Sequence, residues 1–291
     1  MPTERSRNVK SLRLVFALTT SYLVVEVVGG LATRSLALLA DAGHMLTDVG
    51  GLGLALFAIR FASRPATPQR TYGYYRAEIL AAVANAVALI VISIYVLYEA
   101  YRRFMDPPAV ESLGMLAVSA VGLVINVVGV LLLRRDAAQS LNTKGAYFEV
   151  VSDLLSSVGV IIAGVVMWTT GWYYADPLVS AAIGLFILPR TWTLLREAVG
   201  VLLEGTPSDI NLADVRARIA AVAGVDAVHD LHVWTLTSGV NALSVHVVLK
   251  PESEYLDVLK AVQTLVTNSF DISHATVQVE PHGHQETEQH L

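Results

Sequence analysis

Three stretches of this chain, Ile79 to Tyr98, Ser112 to Leu133 and Leu154 to Ala175, each run for about 20 or more residues without a charged side chain. A bilayer core roughly 30 Å thick needs about that many apolar residues in a helix. The helix is favoured there because it satisfies every backbone polar group within the segment. Three more spans complete the pattern, so helices are expected near 12–33, 37–60, 77–99, 112–133, 145–169 and 176–195. Composition agrees: 54% of the residues are hydrophobic and 15% charged, whereas soluble domains run at about 45–50% and 25%. The first apolar span is longer than a signal-peptide core and is followed by others, so no cleavable signal is expected. The net charge of −5 gives no sign of a nucleic-acid partner; lipid is the surrounding phase.

Basic residues in the short loops set an orientation. Arg5, Arg7, Lys10 and Arg13 precede the first span. Arg60, Arg64, Arg70 and Arg76 lie between the second and third, and Arg134, Arg135 and Lys144 between the fourth and fifth. All fall on one side, so both termini are expected in the cytoplasm.

Beyond about residue 205 the pattern changes. "TPSDINLADVRARIAAVAG" reads as a helix with Asp209 as N-cap and Gly224 as its stop. "VDAVHDLHVWTLTSG" and "VNALSVHVVLK" alternate as strands joined through Ser238-Gly239. An amphipathic helix, "SEYLDVLKAVQTLVTNSF", and a last strand, "SHATVQVEP", follow. The fold class expected is a polytopic α-helical membrane protein with six transmembrane helices, followed by a cytoplasmic α+β domain of order αββαβ. The domain boundaries are 1–204 and 205–282, with 283–291 as a polar tail.

Two of the membrane spans carry ligand chemistry. "LADAGHMLTDVGG" places His44 and Asp48 four residues apart, and "GAYFEVVSDLL" does the same with Glu149 and Asp153. In a helix each pair shares one face. Intramembrane charges cost about 3 kcal/mol on insertion scales and typically face a partner, a cavity or an ion path. One imidazole and three carboxylates can build a four-coordinate cage for a divalent metal. With no cysteine in the chain, Zn²⁺, Co²⁺ or Mn²⁺ suits such a cage better than Cu(I). Asp41, near the start of its helix, reads as an N-cap or vestibule charge rather than a ligand. Glu26, Asn126 and Ser156 read as groups that hydrogen-bond between helices or support the ligands.

With these residues in place the chain resembles a family, the cation diffusion facilitators, and is similar to its bacterial cobalt-zinc-cadmium resistance type. The motifs are "SLALLADAGHMLTDVGGL", "RTYGYYRAEILAA", "KGAYFEVVSDLLSSVGVI", "DPLVSAAIGL" and "HDLHVWTLTSG", within a similarity from about residue 10 to 282. The resemblance implies a homodimer in the bacterial inner membrane, a metallochaperone-like cytoplasmic domain, and a transport site of His44, Asp48, Glu149 and Asp153. Glu149 departs from the pattern, since many zinc-transporting members have His there. The resemblance further implies a cytoplasmic metal site at His229, His246, His274 and Glu280. His232 and Trp234 are read as structural, because His232 falls on the opposite strand face from His229. It also implies an ionic hinge between Arg76 and Glu204.

The expected activity follows from competition between metal and protons for one set of ligands. Zn²⁺, with Cd²⁺ or Co²⁺ as further cargoes, leaves the cell in exchange for protons by alternating access. No covalent step is required, so no enzyme is expected. A membrane metalloprotease is the rival class, but "HMLTD" lacks the H-E-x-x-H spacing. A passive channel is another, opposed by the closed cage, because conduction needs weak binding.

Overall fold

The computed structural model describes residues 4–62, 66–134, 141–237 and 239–283, with side chains described over 14–47, 49–50, 66–134, 147–237 and 239–283. Six long helices come first: α1 (Glu4–Thr33), α2 (Leu36–Ala62), α3 (Arg76–Met105), α4 (Ser112–Leu133), α5 (Leu141–Thr170) and α6 (Ala175–Leu202). Five contain stretches long and apolar enough to cross a membrane: Leu14–Thr33, Arg76–Met105, Ser112–Leu133, Tyr147–Thr170 and Ala175–Leu202. In α2 the apolar stretch Leu36–Thr47 is described. The full 27 residues of that helix are about 40 Å long at 1.5 Å per residue.

The chain divides into two compact units. One runs through Leu56 and resumes from Ala84 to Leu195; the other takes Phe57–Val83 and everything from Arg196. The first unit exposes large apolar side chains as well as burying them. Large apolar residues such as Val28, Leu31, Val91, Ile94, Leu155, Ile162 and Phe186 point outward, as helices solvated by lipid require. The interior mixes an apolar cluster around Leu38, Met115 and Met167 with polar groups: Ser93, Ser119, Asn126, Ser157 and Ser180 are all buried. Lipid tails are as apolar as leucine, so helix association relies on close approach and hydrogen bonds. Gly122 shows the first device, because a Cβ there would overlap the Tyr22 ring and push α4 off α1. The bond from Asn126 Nδ2 to Ser157 Oγ at 3.2 Å shows the second, joining α4 to α5.

The start of α2 is held in an unexpected way. The Asp176 carboxylate on α6 accepts the backbone N–H of Leu36 at 2.9 Å and of Ala37 at 3.1 Å. It also accepts the Ser35 hydroxyl at 2.7 Å and Arg103 of α3 at 3.2 Å. Helix N-termini leave backbone donors without partners, and here a carboxylate from another helix supplies the acceptor. Asp41 therefore does not cap α2. It lies five residues inside the helix and is 1% exposed.

In the second unit, α7 (Leu212–Ala220), β1 (Val225–Thr237), β2 (Val240–Leu249), α8 (Tyr255–Phe270) and β3 (His274–Glu280) give the αββαβ order. β1 and β2 pair antiparallel and β2 and β3 parallel. Val258, Val262 and Val266 recur every four residues on α8 and are buried with Leu243, Val245 and Val247 of β2. Fully burying each such side chain contributes about 1.5–3 kcal/mol. Two expected end signals move. Asn211, not Asp209, caps α7 by accepting the N–H groups of Ala213 and Asp214. The helix ends at Ala220, and Gly224, at φ 89°, turns the chain into β1.

Candidate metal sites

The first candidate site lies in the membrane unit. α2 and α5 bring His44 Nε2 within 3.9 Å of Asp153 Oδ1, and both residues are buried, at 9% and 5% exposure. Asp48 stands one helical turn beyond His44 on α2; its side chain is outside the described residues. Glu149, one turn before Asp153, engages Arg190 of α6: Nη1 donates to Oε2 at 3.1 Å, and Nη2 donates to Oε1. The geometry thus unites His44 with Asp153 and directs Glu149 to a guanidinium.

More acid groups gather close to this pair than sequence spacing suggested. Glu26 of α1 and Asp41 of α2 are each 1% exposed, and the Tyr22 hydroxyl donates to Glu26 Oε1 at 3.0 Å. Glu26 and Ser156 both lie against Asp41. Buried carboxyls persist only when paired or protonated. An imidazole and a carboxylate facing each other in a dry interior, with further carboxyls alongside, can bind a divalent cation or hold protons in its stead.

The second candidate site lies on the outer face of the cytoplasmic sheet. His229 and His246 are register partners on β1 and β2, with ring centroids 5.2 Å apart. The Glu280 carboxylate reaches both, with Oε2 3.0 Å from His229 Nε2 and Oε1 3.1 Å from His246 Nδ1. One ligand atom from each of the three falls within 4.8 Å of the others, which suits a small ion bound by N and O donors. Burial by itself would raise the Glu280 carboxyl. The Gln278 amide, the His229 hydrogen bond and the charges of both histidines outweigh it and hold the group below its ordinary value.

His274 stands apart from this trio. It opens β3, where it pairs with Ala242 while Glu280 pairs with Val248, about 20 Å away at the usual strand rise. Its ring packs edge-on against Tyr72 at 5.6 Å. His232, in contrast, joins the neighbourhood. A register shift between His229 and His232, with Asp230 at φ 47°, is a β-bulge that inserts an extra residue. His232 then pairs with Ser244 as His229 pairs with His246, so both histidines occupy one face. The expectation that His232 points the other way assumed an unbroken alternation. Asp230 itself lies 2.8 Å from His232 Nε2 and 3.6 Å from His246 Nε2. The His232 hydrogen bond, followed by the nearby imidazole charges, holds its carboxyl below the usual range. Sequence reasoning gave no role to Asp230, Asp176 or Arg190; the available signals were the D between histidines in "HDLH" for Asp230 and the head of the motif "DPLVSAAIGL" for Asp176.

Arg76 Nη2 and Glu204 Oε1, the expected hinge pair, lie 2.6 Å apart in the second unit. Both side chains are substantially exposed, at 37% and 60%. Thr237 at the end of β1 also donates to Glu78 in the first turn of α3 at 2.6 Å.

Two family models match the chain: the cation efflux transmembrane domain over residues 12–203 and the cation efflux protein cytoplasmic domain over 207–282. A metal cation efflux system protein, CzcD of Cupriavidus metallidurans, is 50% identical over 94% of this chain and 87% of its own length. A cadmium, cobalt and zinc/H(+)-K(+) antiporter of Bacillus subtilis is 42% identical over 95% of this chain and 90% of its own. The zinc transporter ZitB of Escherichia coli is 40% identical over 94% and 88%.

Proposed function

This chain belongs to the cation diffusion facilitator family, both of whose domains it contains, and on that premise we propose that it exports divalent metal cations, Zn²⁺ foremost, in exchange for protons. The observation that carries the reading is His44 buried against Asp153 between two membrane helices. Ionisable residues buried in membrane helices commonly mark ion paths and proton relays. Relatives named for zinc, cadmium and cobalt support the metal class, and one named as an H(+)-K(+) antiporter supports proton coupling.

In this mechanism His44, Asp48, Glu149 and Asp153 form the transport site. Metal enters when the carboxylates are ionised and the imidazole is neutral, because bound protons and metal compete for the same lone pairs. Facing the cytoplasm the site loads metal; facing outward it exchanges metal for protons and returns. An imidazole can exchange a metal ion for a proton on the same nitrogen, which suits the carrier role. Glu26 and Asp41 lie close enough to the ligand pair to serve as a proton reserve. Net transport needs no bond making, so the protein acts as a transporter rather than an enzyme.

The basic loops support a bacterial inner-membrane protein with both termini in the cytoplasm. The cytoplasmic domain forms the homodimer contact. There His229, His246 and Glu280 bind a regulatory Zn²⁺, for which Cd²⁺ or Co²⁺ substitutes; His274, at the other end of β3, stands outside this set. The imidazole–carboxylate donor set fits such an ion. The deciding experiment is metal-stimulated proton flux in proteoliposomes, compared across Zn²⁺, Cd²⁺, Co²⁺ and Mn²⁺. Flux that depends on metal and reverses with the imposed pH gradient is expected. Metal movement that ignores the pH gradient would leave a channel and reject antiport.

A further inference from the structure

Arg190 is a charged residue in a helix that crosses the membrane, immediately after Pro189 of α6. Its guanidinium reaches Glu149 of α5 with two donors, one to each carboxylate oxygen. Such a fork is the strong, geometrically specific form of an ion pair. Glu149 is four residues before Asp153 and so lies on the same helix face.

Charge gives this pair a purpose. A site of one neutral imidazole and three carboxylates carries one negative charge more than a divalent ion cancels. Arg190 supplies the missing positive charge. With imidazole at position 149 no such compensation would be needed, so Glu149 and Arg190 make sense as a unit. While the fork is closed, both Glu149 oxygens are engaged, and a metal ion approaching Asp153 and His44 meets a fixed cation beside it.

We propose that Arg190 is a built-in counter-ion of the transport site: it holds Glu149 in the metal-free protein, yields at least one carboxylate oxygen when metal binds, and so sets the site's metal affinity. This rests on the reading of Glu149 as a transport ligand. The consequence for transport is a site that binds weakly enough to release its cargo on the far side.

The test is equilibrium Zn²⁺ binding by calorimetry on the full-length purified protein, in a His229→Ala/His246→Ala background that silences the cytoplasmic cluster. Arg190→Gln should bind Zn²⁺ about tenfold more tightly, since removing a unit charge a few ångströms from a divalent ion favours the ion. Arg190→Lys keeps the charge but cannot grip both oxygens, so about threefold tighter binding is expected. In proteoliposomes Arg190→Gln should lower the half-saturating Zn²⁺ concentration and the maximal rate together, a split that loss of structure does not produce. Glu149→Gln should weaken binding, and Arg190→Gln added to it should recover part of the loss, because the guanidinium left without its carboxylate no longer repels the ion. Unchanged or weaker binding in Arg190→Gln, with Glu149→Gln still weakening it, overturns the counter-ion proposal and leaves the ligand reading standing. Unchanged binding in Glu149→Gln overturns the ligand reading and the proposal with it. Should Arg190→Gln not purify in folded form, Arg190→Lys decides, and wild-type affinity there is the overturning result.

Discussion

A buried histidine 3.9 Å from a buried aspartate is too far for a hydrogen bond and close enough to share a small ion. That spacing fits the proposed ligand pair. His44→Ala or Asp153→Ala is therefore expected to reduce metal-dependent proton flux at least about a hundredfold, while the protein still purifies as a folded homodimer; removing one of four metal ligands typically has effects of that order or larger. Flux measurements beside size-exclusion profiles check this, and wild-type flux in either variant would remove both residues from the site. Asp48→Ala is expected to behave alike, on the strength of its position one turn from His44. The i, i+4 spacing of these residues was readable in the string. The guanidinium that meets Glu149 was not, because Arg190 is 41 residues away and only the packing of α5 on α6 joins them.

At the scale of single elements, α2 depends on a cap it does not own. Asp176 has no exposed surface and accepts from two backbone amides, a hydroxyl and Arg103. Asp176→Ala leaves two buried amides and a hydroxyl without this acceptor, while Arg103 keeps Glu99 and the Arg34 carbonyl, and at least about 1–3 kcal/mol of stability should be lost. Asp176→Asn should lose less, because its carbonyl still accepts. Thermal unfolding in detergent, followed by tryptophan fluorescence, gives the ranking; equal melting temperatures for wild type and Asp176→Ala would reject the cap. The strand cluster offers a pH test. The folded Glu280 carboxyl lies below its ordinary value, so the unfolded chain binds the proton more readily. The resulting stability is present above the ordinary glutamate range near pH 4.3 and fades as pH falls through the folded value. Hydrogen exchange of β1 and β3 amides in the metal-free protein should accelerate relative to α8 between pH 5 and pH 3, after correction for intrinsic exchange. Glu280→Gln should abolish that extra acceleration, and an identical pH profile in both proteins would remove Glu280 from the balance.

For the molecule as a whole, the division of the chain is informative. The first turns of α3 belong to the same compact unit as the cytoplasmic sheet. Within that unit Arg76 meets Glu204, Glu78 meets Thr237 and Tyr72 meets His274. These contacts fasten the chain entering α3 to the cytoplasmic fold, as a hinge requires. An exposed ion pair alone contributes only about 0–1 kcal/mol, so the pair's role is better tested on rate than on stability. In a double-mutant cycle of Arg76→Ala, Glu204→Ala and both, transport rates are expected to be non-additive, with the double variant no slower than the slower single one. Strict additivity would mean that the pair does not act as a unit.

By itself the sequence determined the quantities that depend on local pattern. Uncharged runs of about 20 residues set the membrane helices through the thickness of the bilayer. Period-two alternation set the antiparallel β1–β2 pair, and i, i+4 spacing put His44 with Asp48 and Glu149 with Asp153 on shared faces. Tertiary structure decided whatever depends on residues far apart in the chain. It moved Asp41 from cap to interior by letting Asp176, 140 residues from Leu36, take the helix start. It turned His232 onto the His229 face through a bulge at Asp230, and it gave Glu149 its arginine. In each case a buried or strained group needed a partner, and the sequence lists the candidates without saying which of them the folded chain brings within reach.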